Sequence, residues 1–264
     1  MNTPRNMLIE AHFKKLKMPQ AAKVYMPMAR EAEDNNLSYE DYLLGILEQE
    51  ITQRESNRIQ RGIRLTTFPI IKNLDSFDFK AVPSLSKTKV LKLASCEYIK
   101  NLENVILVGT SGVGKTHIAT ALAYEACRKG MKAKFFTAAG LINELLAAQD
   151  YKLNRMERQY SAYHLIVIDE LGYVFSKTGA ELLFQFCSSR HERGSLIITT
   201  NLEFPKWTEV FSDAQMTAAL LDRLTHKAHI LNINGETKPM LELQILAKGG
   251  SRYIQGAAYG FYNR

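Results

Sequence analysis

One run of residues has the types and spacing of a phosphate-binding loop: Gly109-Thr110-Ser111-Gly112-Val113-Gly114-Lys115-Thr116. The pattern G-x-x-x-x-G-K-[ST] puts glycines where the backbone must curl until several N–H groups point at one polyanion. Lys115 adds a point charge for the β- and γ-phosphates, and the Thr116 hydroxyl can ligate Mg²⁺. Farther on, Asp169 and Glu170 end the apolar run Leu165-Ile166-Val167-Ile168. Asp169 would join the Mg²⁺ shell, and Glu170 would orient and deprotonate an attacking water. Asn201 ends another apolar run, Ser195 to Thr200, where its amide could reach a terminal phosphate or that water. Together these residue types specify hydrolysis of a nucleoside triphosphate with Mg²⁺. A small-molecule kinase also uses such a loop, but would have no reason for the basic N-terminal helices read below.

The elements that must hold these groups are legible around them. Val105-Ile106-Leu107-Val108 reads as a buried strand entering the loop. Behind the loop, Ile118, Leu122 and Ala126 recur at helical spacing, and Arg128-Lys129-Gly130 supplies a cationic last turn and a glycine stop. That helix would present its positive dipole end to the phosphates. Further strands are expected over Ala133–Thr137, 165–170, 195–201 and 228–233, with helices over Leu141–Ala148 and about Ala180–Phe186. Such alternation makes a mostly parallel sheet, and ligands of open α/β sheets bind at its carboxyl edge, where Asp169 and Glu170 would stand. Leu220-Leu221-Asp222-Arg223-Leu224 adds a helix-borne arginine. Trp207 reads as a packing residue. Cys187 with His191, and His226 with His229, have helical ligand spacing but no third ligand, so zinc is not expected.

Residues 1–68 are expected to form a small all-helical domain. Leu8, Ile9, Phe13, Leu16 and Met18 recur at roughly helical intervals among Arg5, Lys14, Lys15, Lys17 and Lys23. From Glu31 to Glu50 the balance inverts to seven acids and no Lys or Arg. Ser38 begins a capping box, after which Leu43, Leu47 and Ile51 continue one apolar face. Arg54, Arg58, Arg61 and Arg64 follow, the first three within about 60° of one another at 100° per residue. This stripe is either a solvated face or a set of phosphate contacts on double-stranded DNA. Pro69 breaks the helix, and a connector over 69–79 contains Phe77-Asp78-Phe79, which would either edge an adenine pocket or latch the connector onto the core. A second basic stretch, Lys152, Arg155 and Arg158 with Tyr151 and Tyr160, suits nucleic acid, although a surface helix would look the same.

Composition sets the outer bounds. The 264 residues carry a net charge of +7 and a pI near 9.2, which favours a polyanionic partner. No apolar run approaches the roughly 20 residues that span a bilayer, and no apolar signal core follows Met1. Cys96, Cys127 and Cys187 are odd in number and widely spaced, which suits reduced thiols in a cytoplasmic protein with no membrane partner.

In this order the motifs resemble the AAA+ ATPases of the initiator and helicase-loader branch, and more closely the IstB-like transposition-helper ATPases of bacterial insertion sequences. The resemblance rests on Gly109 to His117, Ile168-Asp169-Glu170-Leu171-Gly172-Tyr173 and Ala180-Glu181-Leu182-Leu183-Phe184-Gln185. It continues through Glu192-Arg193-Gly194-Ser195, Thr199-Thr200-Asn201-Leu202 and Ala218-Ala219-Leu220-Leu221-Asp222-Arg223-Leu224, and spans about 16–243. It implies a helical N-terminal domain for DNA and assembly (1–68), the connector (69–79), an AAA+ core (80–245) and a tail (246–264). The nucleotide would lie on Gly109, Thr110, Ser111, Gly112, Val113, Gly114, Lys115, Thr116 and His117. Asn201 resembles the polar sensor, and Arg223 the arginine supplied to a neighbouring subunit's nucleotide, with Arg190 and Arg193 as rivals. The 150s insertion falls where initiator-type relatives carry a DNA-contacting element. The implied protein is a homo-oligomer that binds duplex DNA with little sequence preference and assists a transposase. Loading of a replicative helicase is the alternative. Only 31 residues follow Ile233, so no full helical lid is expected and Arg252 is a poor second sensor.

Overall fold

The structure, a computed structural model, describes residues 3–148, 153–172, 176–211 and 213–234. Contacts divide the chain into two units, Met1–Gly62 and Ile63–Arg264.

The first unit is built on helices α1 (Pro4–Lys15), α2 (Pro19–Asp34) and α3 (Tyr39–Thr66, which runs on past the division). Its core is small: Ala21, Tyr25 and Ile46, with Ile9, Phe13, Met18, Met26, Met28 and Tyr42 against them. Ser38 caps α3 as expected, its Oγ accepting from Asp41 N–H at 3.0 Å. The start of α2 has no side-chain cap of its own. Glu50 of α3 supplies one, accepting from Gln20 N–H at 2.8 Å and Ala21 N–H at 3.0 Å. Arg54 bonds its other carboxylate oxygen at 2.8 Å. Burial alone would raise the Glu50 carboxyl, but the Ala21 N–H, the Arg54 guanidinium and the Gln20 N–H outweigh it and hold the group below its ordinary value.

Two expectations fail in this unit. Leu8 and Leu16 are exposed, and only Ile9, Phe13 and Met18 of that series pack inward. On α3, Leu43, Leu47 and Ile51 also lie open to solvent, while Ile46 and Glu50 hold the inner face. The helix carries two stripes about 80° apart, and the polar Glu50 belongs to the buried one because it caps α2.

The second unit begins with α4 (Lys87–Ala94) and α5 (Glu97–Lys100). Then β1 (Asn104–Val108), α6 (Lys115–Arg128), β2 (Ala133–Thr137), α7 (Ala138–Ala148), α8 (Leu153–Ser161) and β3 (Leu165–Asp169) follow. After them come α9 (Lys177–Arg190), β4 (Ser195–Thr200), α10 (Trp207–Phe211), α11 (Ala214–Thr225) and β5 (Ala228–Asn232). The strands form one five-stranded sheet in the order β2-β3-β4-β1-β5. All four pairings are parallel, with Val108 opposite both Thr200 and Asn232.

Helices cover both faces, which is why the strands read as unbroken apolar runs. Val105, Leu107, Val167 and Ile197 pack on one side with α4, α5 and α6. Ile106, Ile166, Ile168 and Ile198 pack on the other with α7, α9, α10 and α11, and there Trp207 is fully buried. The expected α/β architecture, a helix-flanked parallel sheet with a helical N-terminal region, is the one observed. The three cysteines are free and buried. Among the described residues, no helix is long and apolar enough to cross a membrane. Lys152, Tyr151, Tyr173 and the tail with Arg252 lie outside the described residues.

Candidate nucleotide site

The phosphate loop leaves β1 and enters α6, so its N–H groups and the α6 dipole converge at the carboxyl edge of the sheet. Gly109 is the tightest point, an added Cβ standing 2.1 Å from the Ile233 carbonyl oxygen, and Gly114 is constrained by its backbone as well. Its φ is +95°, and an added Cβ would stand 2.7 Å from Cε2 of Phe77, so a side chain there is excluded twice. Lys115 Nζ donates to the carbonyls of Gly109 at 2.8 Å and Thr110 at 2.7 Å. Burial pulls the Lys115 ammonium below its ordinary value, while the charges of Asp169 and Glu170 act against that shift.

Asp169 ends β3, is 4 % exposed, and faces the loop. Thr116 Oγ1 lies 3.0 Å from each of its carboxylate oxygens. Because β4 lies between β1 and β3, its Thr199 reaches the same carboxylate and donates to Asp169 Oδ1 at 2.5 Å. The same hydroxyl accepts from the N–H of Glu170 at 2.9 Å. Glu170 has a φ of +60°, uncommon for a side-chain-bearing residue, and that bond with Leu171 N–H to Thr199 O at 2.9 Å holds the turn. The turn leaves the Glu170 side chain exposed beside Asn201. Gly172 permits this arrangement, since a Cβ there would stand 2.1 Å from Asn201 Oδ1.

The opposite wall comes from the connector. A cavity of about 630 Å³ is lined by Ser111–His117, Glu170, Thr199 and Asn201 on one side, and by Lys72, Ser76, Phe77, Asp78, Ala81 and Val82 on the other. Phe77 meets the ring of His117 edge-on at 5.1 Å and that of Phe79 at 4.8 Å. His117 Nε2 in turn sits 2.9 Å from Asn73 O and 3.2 Å from Ser76 Oγ. Of the two readings of Phe77-Asp78-Phe79, the latch is observed, since both aromatics pack on the core, and Phe77 also edges the cavity.

The predicted residues divide accordingly. Ser111–His117, Glu170 and Asn201 line this cavity, with Gly109, Thr110 and Asp169 bonded to its walls. The arginines stand elsewhere. Arg223 precedes β5 and shares a small recess with Asn104 and Leu196, which begin or nearly begin β1 and β4, so it occupies the amino edge of the sheet. There it donates to Ser188 Oγ at 2.5 Å and lies over the Phe184 ring at 5.3 Å. Arg190 is 3 % exposed and donates to the carbonyls of Tyr160 and Tyr163, each at 2.8 Å. Burial pushes its guanidinium down to about 10. Its guanidinium is thus enclosed within its own chain. Arg193 remains exposed.

Among the basic candidates, Arg54 is committed to Glu50 and to the Lys17 carbonyl, and Arg58 pairs with Glu55 at 2.9 Å. Arg61 and Arg64 are exposed and have no ion pair among the described residues. Arg155 lies on α8 and Arg158 is exposed there. Tyr160, one of the aromatics interleaved with these basic residues, is buried and donates to Glu144, so it is not free for a base. Thr199 escaped the sequence reading as a site residue. Its signal was the polar Thr199-Thr200-Asn201 ending of an apolar strand.

The sheet order, the loop and the acid pair facing it define a P-loop ATP-binding protein of the AAA+ fold. The chain belongs to the IstB-like ATP binding protein family, whose profile matches residues 11–241. It is 35 % identical over 239 residues to the ATP-binding protein of insertion sequence IS5376 from Geobacillus stearothermophilus, covering 90 % of this chain and 95 % of that one. It is 34 % identical over 236 residues to the corresponding protein of insertion sequence IS21 from Pseudomonas aeruginosa, covering 89 % of each. Among solved structures, that of DnaI superposes with a TM-score of 0.51 at 18 % identity, over 63 % of this chain and 89 % of that one, a likeness of fold.

Proposed function

We propose that this protein hydrolyses ATP to ADP and phosphate, assembles as a homo-oligomer on double-stranded DNA and assists a transposase in DNA transposition, within the cytoplasm. The observation that carries the reading is the separation of the phosphate loop from Arg223 across the sheet. The phosphate loop, Asp169, Glu170 and Asn201 stand at the carboxyl edge of the sheet, whereas Arg223 stands at the amino edge. An arginine so placed serves a nucleotide only if that nucleotide belongs to the next subunit.

Thr116 and Asp169 fit a magnesium ion, which takes one or two protein oxygens and completes its shell from phosphates and water. When bound, the ion would neutralise charge on the phosphates. Lys115 would add a fixed charge, Glu170 would orient and deprotonate the water, and Asn201 would hold that water or the terminal phosphate. Among the described side chains of the predicted set, Arg61, Arg64 and Arg158 are left open for DNA phosphates, joined by the more committed Arg54 and Arg58. Names of relatives from insertion sequences support a transposase as the partner.

The test is complementation between dead subunits. Arg223→Ala and Glu170→Gln proteins should each lack DNA-stimulated ATP turnover, and a mixture should recover part of it. No recovery at any mixing ratio, with both variants still assembling, would overturn the shared site. Capture of a hexameric helicase and no transposase would instead point to helicase loading.

A further inference from the structure

The ends of α8 and α9 and the turn before β4 enclose a notch of about 170 Å³ that shares no residue with the nucleotide cavity. Three arginines meet there: Arg158 from α8, Arg190 from α9 and Arg193 from the turn. Among the described residues no carboxylate lines it. Glu192, next to Arg193 in the chain, lies 4.0 Å from Lys227, and Glu144 accepts the Tyr160 hydroxyl. Arg158 and Arg193 are exposed and make no ion pair among the described residues. Ser161 and Ser189 also line the notch, but their hydroxyls donate to the carbonyls of Arg158 and Phe186, each at 2.8 Å. The side-chain donors left to it among the described residues are therefore guanidinium N–H groups.

Arg190 adds a separate observation. It is buried with its charge, and its Nε–H has no partner among the described residues. Its two Nη atoms bond neutral carbonyls, those of Tyr160 and Tyr163. Burial is what draws the guanidinium down, and the Cys187 thiol rather than a carboxylate acts against that. A buried cation without a counter-charge, and like charges gathered in one small recess, are each costly, and a single anion relieves both.

We propose that this notch is a second phosphate-binding site, in which Arg158 and Arg193 grip a phosphate group above the buried charge of Arg190. Guanidinium forks match phosphate oxygens in pairs, so one phosphate supplies several of the missing acceptors at once. Arg190, shielded from solvent, adds attraction that salt screens little. Two sources carry such a group: the DNA backbone and a nucleotide held by a neighbouring subunit. DNA is the expected one, because Arg158 shares α8 with Arg155 in the basic stretch. The inference rests on the DNA-binding reading above, but the notch itself needs neither assembly nor a transposase.

The experiment is a calorimetric titration of the full chain with inorganic phosphate at constant ionic strength. The nucleotide cavity is first filled with Mg²⁺ and a non-hydrolysable ATP analogue, so that its own phosphate sites are taken. A further phosphate should bind to each chain, and Arg158→Gln and Arg193→Gln should each weaken it about tenfold. Lys177→Gln, at the other end of α9, should leave it unchanged. Both arginines are exposed, so melting curves should match the wild type, and Arg158→Lys and Arg193→Lys serve if either does not. No phosphate bound beyond the cavity, or binding that survives both substitutions, overturns the proposal. Duplex DNA then identifies the source. Each variant should reduce the slope of log affinity against log salt by about one. An unmoved slope with ATP turnover reduced keeps the site but assigns its phosphate to a neighbour's nucleotide. Slope and turnover both unmoved mark an adventitious ion only and overturn the proposal. The preceding complementation test uses Arg223 and Glu170 variants with the notch intact, so either result can fail without the other.

Discussion

Thr116 Oγ1 and both carboxylate oxygens of Asp169 are 3.0 Å apart, which ties the first turn behind the phosphate loop to the end of β3. Thr199 completes the link, donating to Asp169 and accepting from the Glu170 N–H. One hydroxyl on β4 thus fixes both the carboxylate assigned to magnesium and the backbone that aims the assigned base. Thr199→Val should keep nucleotide affinity and lower kcat by about 10- to 100-fold, the cost of a misaimed catalytic group. Asp169→Asn and Thr116→Ala should instead abolish the response of turnover to added Mg²⁺. Steady-state kinetics across a Mg²⁺ series separate the two outcomes.

Phe77 should govern nucleotide affinity more than chemistry. Its ring walls the cavity opposite the loop and approaches Gly114 so closely that a Cβ there would sit 2.7 Å away. Phe77→Ala should raise KM for ATP about tenfold with kcat nearly unchanged, as expected for an interaction equal in ground and transition states. Gly114→Ala should lose binding outright, because φ of +95° and the ring both oppose a side chain.

The Glu50 cap makes a pH prediction for the first unit. Its carboxyl is held below its ordinary value, so the folded state binds its proton less readily than the unfolded chain does. That contribution is complete above the unfolded value near pH 4.3 and is lost as pH falls through the lower folded value. Glu50→Gln should therefore destabilise the unit by about 1–3 kcal/mol at neutral pH, through the weakened cap on Gln20 and Ala21 and the lost Arg54 partner. The gap from wild type should close in acid. Urea unfolding at pH 7 and below pH 4 measures both, and a gap independent of pH would rule out the charged cap.

The stripe of arginines on α3 should not act as one surface. Arg54 is spent on Glu50 and the Lys17 carbonyl, and Arg58 pairs with Glu55. Arg61 and Arg64 have no such partner among the described residues. If the stripe touches phosphates, Arg61→Gln and Arg64→Gln should each reduce the slope of log affinity against log salt by about one, and Arg54→Gln by less. Fluorescence anisotropy with duplex DNA over a salt series gives the slopes.

What was readable in the sequence follows from where each signal is stored. A strand covered on both faces must be apolar throughout, so 165–168 announced β3 almost to the residue, and the phosphate loop is a local motif whose glycines have local reasons. Thr199 is different. Its place between Thr116 and Glu170 exists only because β4 inserts between β1 and β3, which is a property of topology. On α3 the failure was one of choice between stripes: Leu43, Leu47 and Ile51 are more apolar than Ile46 with Glu50, yet the latter face inward because an uncapped α2 needs a carboxylate. Arg190 likewise carries no mark in the sequence that its charge is enclosed.

Arg190 and Arg223 should consequently fail in different ways. The Arg190 guanidinium ties the Tyr160 and Tyr163 carbonyls to the end of α9, and a Cβ on Gly194 would lie 2.0 Å from its Nη2. Arg190→Met leaves two buried acceptors without their donor and should cost about 2–4 kcal/mol, lowering Tm by roughly 5–15 °C for a unit of this size. Gly194→Ala should act in the same direction by displacing the guanidinium. At temperatures where Arg190→Met remains folded, its ATP turnover should approach that of the wild type, because the guanidinium is held inside its own chain by the Tyr160 and Tyr163 carbonyls. Arg223→Ala should show the reverse: a melting curve close to the wild type, since among the described residues Ser188 and the Phe184 ring lose a partner, and turnover reduced by about 10³-fold or more. Calorimetry and turnover on the same preparations distinguish the two, and an Arg223→Ala protein that melts early with normal turnover would assign that residue to packing.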